Sequence, residues 1–225
     1  MNDTMKNKIE KWLKKLTASN APDEYEAKQF LNLFGMDTPN AIRVPPDSNF
    51  NYSLLKPPFA VKVCSHDIMH KTEEKAVLLN IGLSELDRAL NTIRLRFPGK
   101  NILLEEQVQF TGPEFIIGAI NDHDYGTAVM AGAGGIMTEI YQDACFRLAP
   151  CSIKEAERML DDLAMAPILH GYRGIRLDRH GLAEAISAAG RAALCLGEKF
   201  NELDINPIVF SHGKWIILDA KIILN

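Results

Sequence analysis

Residues 202–222 read ELDINPIVFSHGKWIILDAKI, and their alternation decides how the C-terminal half is built. Successive side chains of a strand point to opposite faces, so Glu202, Asp204 and Asn206 share one side while Leu203 and Ile205 take the other. His212-Gly213 has the composition of a two-residue turn. That turn sets Asn206 opposite Asp219 and Phe210 opposite Trp215. Pro207 donates no ladder hydrogen bond, and a bulge there would slip the register. Two readings of the polar face follow. One is a solvated ladder in which Asp204 pairs with Lys221. The other is an oxygen-donor pair, Asp219 and Asn206, of the kind Mg²⁺ accepts because it keeps several waters and completes its shell with substrate phosphates.

Upstream, NILLEEQV (101–108), EFIIGAI (114–120) and GTAVMAG (126–132) read as strands. They lead into Gly132-Ala133-Gly134-Gly135, a turn whose backbone can approach a phosphate closely. Ser152 with Glu155 forms a capping box opening one helix, and a second runs from about Leu182 to Lys199. The N-terminal half opens with an amphipathic helix carrying Ile9, Trp12, Leu13 and Leu16, whose lysines are expected on its wet face. A second helix carries Ala27, Phe30, Leu31 and Phe34 and stops at Gly35. Strands AIRV (41–44), FAVKV (59–63) and AVLLNIG (76–82) follow, the last two separated by the polar loop SHDIMHKTEEK. Ser84 with Asp87 reads as the cap of a helix ending near Pro98-Gly99. Both halves are therefore α+β units, with the seam near Glu105 to Val108.

With 25 Lys and Arg against 29 Asp and Glu in 225 residues, and no basic stripe beyond the first helix, nucleic acid is not an expected partner. Cys64, Cys145, Cys151 and Cys195 lack CxxC spacing, which predicts reduced thiols and argues against zinc. No stretch reaches the roughly 18 apolar residues of a membrane span, and the charged N-terminus does not read as a signal peptide. A cytoplasmic protein is expected.

Five blocks in order carry a family resemblance: VKV (61–63) followed by HKT (70–72), GAGGIMTEIYQDACFRLAP (132–150), GYRG (171–174), ELDINP and LDAKI. From about Tyr25 to Ile222 the chain resembles the nucleotide-binding subunit of ADP-forming acyl-CoA synthetases, in the ATP-grasp superfamily that includes the succinyl-CoA synthetase beta subunit. The resemblance implies an ATP-grasp fold with a helix at 1–20, a smaller subdomain at 21–107 and a larger one at 108–225, ATP or ADP lying between the subdomains. Mg²⁺ would be held by Asn206 and Asp219 with Asp204 beside them. Lys62 would neutralise phosphate; an unpaired charge between Val61 and Val63 is otherwise costly, unless the strand is an edge and the lysine points to water. Glu105, Glu106 and Val108 would meet the adenine through the hinge backbone, Glu114 the ribose, and Gly134 and Gly135 the phosphates. His70 would carry the phosphoryl group, imidazole being a nucleophile that titrates near neutrality. Glu139 and Arg147 would assist, Arg147 as a phosphate clamp, or the two would form a structural ion pair. Arg173 would meet the partner or cap a helix.

The same resemblance implies a separate CoA-binding alpha subunit, in a heterotetramer, and the interconversion of acid, CoA and ATP with acyl-CoA, ADP and phosphate. One departure stands out. Where the family has two glycines before the strand valine, this chain reads Glu74-Lys75-Ala76-Val77, which predicts a loss of backbone freedom. Two alternatives follow: a non-catalytic grasp module supporting a partner, and a ligase that works without CoA and needs no carrier histidine.

Overall fold

A computed structural model describes residues 3–16, 21–46, 48, 51–68, 74–135 and 142–225. The chain divides into two compact units, one comprising 1–22, 27–38 and 110–225, the other 23–26 and 39–109. The stretch 27–38, expected in the smaller subdomain, instead belongs to the larger unit, because Ala27, Phe30 and Leu31 are fully buried in that unit's core.

The smaller unit is a four-stranded antiparallel sheet of β1 (Ala41–Val44), β2 (Phe59–Cys64), β3 (Val77–Ile81) and β4 (Asn101–Glu106), in the order β1-β4-β2-β3. Phe59, Val61 and Val63 point to one face and pack against Leu86, Leu90 and Ile93 of α3 (Leu86–Arg96). The entry to α3 differs from the expected Ser84 cap. A single 3-10 turn precedes the helix, and Glu85 reaches back to accept the Gly82 N–H at 3.2 Å. The other sheet face carries charge. Lys62 lies in register with Leu103, Glu105 with Ala41, and Arg43 with Leu103, so Arg43, Lys62 and Glu105 share a side.

The larger unit begins with α1 (Asp3–Lys15) and most of α2 (Glu24–Asn32). Its sheet comprises β5 (Phe115–Asp122), β6 (Gly126–Ala133), β7 (Ala144–Leu148), β8 (Phe200–Ser211), β9 (Lys214–Ile217) and β10 (Ala220–Leu224), ordered β10-β8-β5-β6-β7 with β9 also paired to β8. The expected two closing strands are thus three, because Leu218-Asp219 interrupts the return strand. Strand β7 was not foreseen; its alternation is faint, since it is an edge with Phe146 and Leu148 more than half exposed. Three helices follow it: α4 (Ile153–Asp161), α5 (Ala166–Leu169) and α6 (Arg179–Leu196). The Ser152–Glu155 box caps α4 as its spacing predicts, with Ser152 N–H donating to Glu155 Oε2 at 2.9 Å. Helix α6 packs alanines 183, 189 and 193 with Ile186 into the core beside Ala119, Val129 and Leu203. Small residues let it sit close to the sheet: a Cβ on Gly190 would lie 3.0 Å from Val129 Cγ1.

Among the described residues no helix is long and apolar enough to cross a membrane.

Candidate functional site

The C-terminal hairpin turns where expected. His212 (φ 50°) and Gly213 (φ 79°) are both left-handed, as a two-residue hairpin turn of the mirror-image type requires. From there the pairing runs unslipped: Ser211 with Lys214, Phe210 with Trp215, Ile205 with Ala220, Asp204 with Lys221. Between the last two strands the Asn206 N–H donates to Asp219 O at 3.2 Å, and the Leu218 N–H to Pro207 O at 2.9 Å. The irregularity anticipated at Pro207 does occur, but against β5 on the other side of β8, between Phe115 and Ile117. Asn206 and Asp219 are consequently neighbours. Leu203 and Ile205 are buried, whereas Asp204 and Asp219 are half-buried and Asn206 is exposed.

This pair fits a hard divalent cation. One carboxylate and one amide carbonyl are oxygen donors, and among the described residues no three His, Cys, Asp or Glu side chains form a group able to hold a metal. An ion bound there must therefore keep waters or take ligand oxygens, the habit of Mg²⁺ rather than of a structural zinc. Asp204 stands one strand repeat away, about 7 Å, in register with Lys221.

A cavity of about 550 Å³ in the same unit is lined by Glu114, Gly134, Asp143, Met165 and Ile168 among others, so it brings together two residues expected to touch nucleotide. The glycines have a tertiary reason of their own. Gly134 donates its N–H to Glu114 O at 2.8 Å, and a Cβ there would lie 2.8 Å from the Glu114 backbone carbon. Gly135 is left-handed (φ 64°), and a Cβ there would lie 2.6 Å from Glu114 Oε2.

In the smaller unit, Lys62 is neither on an edge nor pointing to water. Strand β2 is interior, and the Lys62 Nζ sits 2.8 Å from both Glu24 Oε1 and Glu105 Oε2, the three side chains being 8%, 2% and 2% exposed. Glu105 reaches it as the diagonal neighbour across the β2–β4 ladder, while Glu24 arrives from the first turn of α2. Two buried carboxylates around one ammonium hold it in a single direction. Next to it Arg43 is clasped by Asp23 at 2.9 Å and Glu26 at 3.0 Å. Burial opposes the Arg43 charge, but hydrogen bonds to those two acids outweigh it and hold the guanidinium above its ordinary range. Cys64, on the same strand, has its thiol pushed well up by burial and by the Asp23 charge; Cys145 is pushed up by burial to about 11.

At the end of β4, the Glu106 N–H is used by Asn40 O at 3.0 Å and the Gln107 N–H by Pro58 O at 2.9 Å. Glu106 also accepts from Asn40 Nδ2 and the Lys56 N–H. Val108 is the first residue after the strand, among those described, whose N–H is not spent on another backbone carbonyl.

Arg147 departs from its expected place. It lies in register with Val129, which pairs with Ala119, which pairs with Leu203. It therefore faces the helix-covered side of the sheet, opposite Asp204 and Asn206. Its guanidinium pairs with Asp162 and donates to Phe146 O at 2.7 Å. The phosphate-clamp role finds no support in this geometry. Arg173 is left-handed (φ 52°) and stacks over its neighbour Tyr172, its guanidinium carbon 5.5 Å from the ring centre, rather than capping a helix. His70 and Glu139 lie outside the described residues. The missing glycines beside His70 are compensated in part: Lys75 adopts the left-handed conformation itself (φ 52°), and Ala76 is buried with its carbonyl accepting the Val63 N–H at 2.9 Å.

Two further buried charged residues support these positions. Glu24 completes the Lys62 clasp, and Lys28, only 3% exposed, donates to Leu218 O at 2.7 Å. Their one signal is position: Glu24, Lys28 and Leu31 are spaced i, i+4, i+7 and flank the apolar stripe of α2.

Residues 16–224 match the ATP-grasp domain family. The beta subunit of ADP-forming acetate–CoA ligase I from Pyrococcus furiosus is 34% identical over 223 residues, covering 94% of this chain and 96% of that one. A solved structure from Pyrococcus horikoshii superposes with a TM-score of 0.88 at 28% identity, covering 98% of this chain and 99% of that chain. A dinucleotide-forming acetyl-coenzyme A synthetase from Candidatus Korarchaeum cryptofilum, solved with coenzyme A and Mg-AMPPCP, gives a TM-score of 0.77 at 29% identity, over 91% and 93% of the two chains.

Proposed function

We propose a function that starts from one fact: the chain belongs to the ATP-grasp family and, within it, to the beta subunits of ADP-forming acetate–CoA ligases. It is the nucleotide-binding subunit of an ADP-forming acyl-CoA synthetase. With a CoA-binding alpha subunit it interconverts acid, CoA and ATP with acyl-CoA, ADP and phosphate. The observation that carries the reading is the unslipped register that makes Asn206 and Asp219 neighbours on an open sheet face.

Each residue then has a chemical task. Asn206 and Asp219 would hold Mg²⁺, with Asp204 adding negative charge nearby. An ion held there would offset the negative charge of the phosphates. Lys62, held in one direction by Glu24 and Glu105, presents its ammonium to the phosphates. The Val108 N–H donates to the adenine, Glu114 accepts from ribose hydroxyls, and Gly134 and Gly135 leave room for the phosphates. His70 attacks the phosphorus of a phosphohistidine delivered by the partner, so one P–N bond breaks as another forms. An oxygen of ADP then attacks that phosphorus, and His70 leaves as neutral imidazole. Catalysis otherwise lies in positioning and electrostatics.

The left-handed Lys75 favours this reading over a non-catalytic module, because it supplies at one position the backbone conformation that a glycine would have. The test is acyl-CoA-dependent ATP synthesis by the chain mixed with its CoA-binding partner. Activity is expected only with both subunits and Mg²⁺, and it should disappear in His70→Ala. Full turnover by His70→Ala would sink the relay, and absence of Mg²⁺-dependent nucleotide binding would sink the assignment itself.

A further inference from the structure

The metal ligand Asp219 does not sit on a regular strand. It lies in the two-residue interruption, Leu218-Asp219, between β9 and β10, where no ladder fixes the chain on both sides. Among the hydrogen bonds that hold that interruption, three set its backbone. Leu218 N–H donates to Pro207 O at 2.9 Å, Asn206 N–H donates to Asp219 O at 3.2 Å, and Lys28 Nζ donates to Leu218 O at 2.7 Å. The first two tie the interruption to its own sheet. The third comes from α2, 190 residues away in sequence.

The segment carrying Lys28 grips the hairpin at a second point. Gly35 is left-handed (φ 83°), which turns the chain after α2 so that Asp37 runs parallel to Ile216. Asp37 O accepts the Ile217 N–H at 2.9 Å, and the Asp37 carboxylate pairs with Lys214 at 3.1 Å. The residue before Asp219 is thus held by Lys28, and the residue before that by Asp37.

Burying a lysine's ammonium is costly, and an apolar residue would fill a helix position beside Leu31 at no such cost. Lys28 is nonetheless 3% exposed, and its ammonium donates to the carbonyl of the peptide that joins Leu218 to Asp219. A charge-assisted hydrogen bond of this kind fixes the plane of that peptide, and with it the direction in which the Asp219 side chain leaves the backbone.

We infer that Lys28 is a positioning residue for the metal site: it sets the Leu218-Asp219 peptide so that the Asp219 carboxylate is aimed beside the Asn206 amide. The inference rests on the proposed metal role of Asp219. Its chemistry predicts an effect that general destabilisation does not produce. Mg²⁺ demands near-ideal octahedral geometry at short distances, whereas Ca²⁺ accepts irregular shells with longer bonds. A carboxylate aimed loosely should therefore lose Mg²⁺ more than Ca²⁺.

The test measures nucleotide binding to the purified full-length chain as a function of added Mg²⁺ or Ca²⁺, for the wild type, Lys28→Met, Lys28→Arg and Asp219→Asn. Lys28→Met keeps the side-chain length and removes the donor. It should raise the Mg²⁺ concentration for half-saturation by about tenfold, the loss expected for one charge-assisted hydrogen bond, and move the Ca²⁺ value less. Lys28→Arg should recover most of the Mg²⁺ dependence. If Lys28→Met does not fold, Lys28→Gln, which retains a neutral donor, should show the same ordering of the two ions with a smaller shift. Equal metal dependence in wild type and Lys28→Met, or in Lys28→Gln where that variant is used, overturns the inference, provided Asp219→Asn moves it. If Asp219→Asn leaves the metal dependence unchanged, the metal-site reading has failed instead.

Discussion

Among the described residues two lysines are buried, and they are buried differently. Lys62 interrupts an apolar strand and is clasped by two carboxylates, both nearly as buried as any leucine in the core. Lys28 lies on an amphipathic helix, where a lysine ordinarily faces water, and donates to a backbone carbonyl. The first breaks the local pattern and is therefore visible as an exception. The second satisfies the pattern and is invisible. Pattern reading finds a buried charge where the period objects to it, and passes over one where the period is content.

The largest effect should come from removing the clasped cation. Lys62→Met leaves Glu24 and Glu105 buried without it, which costs about 3–5 kcal/mol of unfolding free energy, the usual penalty for breaking a buried pair on one side. Urea titration reads this directly. A loss below 1 kcal/mol would mean that the two carboxylates find other partners, and the contrast with Lys28 would vanish.

Lys28→Met should cost less, about 1–3 kcal/mol, the loss expected when the Leu218 carbonyl loses its charged donor. If it costs as much as Lys62→Met, its charge matters to more than Leu218 O. Arg43 supplies the control for exposure. It too is clasped by two acids, but its side chain is 35% exposed. Arg43→Gln should therefore cost at most about 1 kcal/mol, in the range of partly solvated ion pairs. A larger loss would show that shared sheet-face position, and not burial, sets the strength of these clasps.

The smallest effect belongs to the loop. Lys75 is left-handed where the related sequences are expected to carry glycine, so Lys75→Gly should relieve about 1 kcal/mol of backbone strain. The greater freedom of glycine in the unfolded chain returns part of that gain. A loss of stability on this substitution would mean that the Lys75 side chain makes a contact worth more than the strain.

The legible part of the candidate site was its hairpin. The two-residue turn and the alternation placed Asn206 beside Asp219, and the structure keeps that register through Lys221. The Ser152 cap and the apolar stripe of α2 were legible for the same reason. Arg147 was misplaced because a motif records that an arginine is present and not which sheet face it occupies. The parity of β7 was hidden in an edge strand with little burial contrast. The assignment of residues 27–38 failed similarly, since the stripe at Ala27, Phe30 and Leu31 announces that α2 is buried without saying in which core.

The sequence by itself determined the element types, the hairpin register and the anomaly of a lysine in β2, because each depends on side chains a few residues apart whose geometry the backbone period dictates. Only the tertiary structure decided that Glu24 and Glu105 meet at Lys62 and that Lys28 reaches Leu218. Those partners are brought together by packing between elements distant in the chain, and local periodicity records which face is covered, never what covers it.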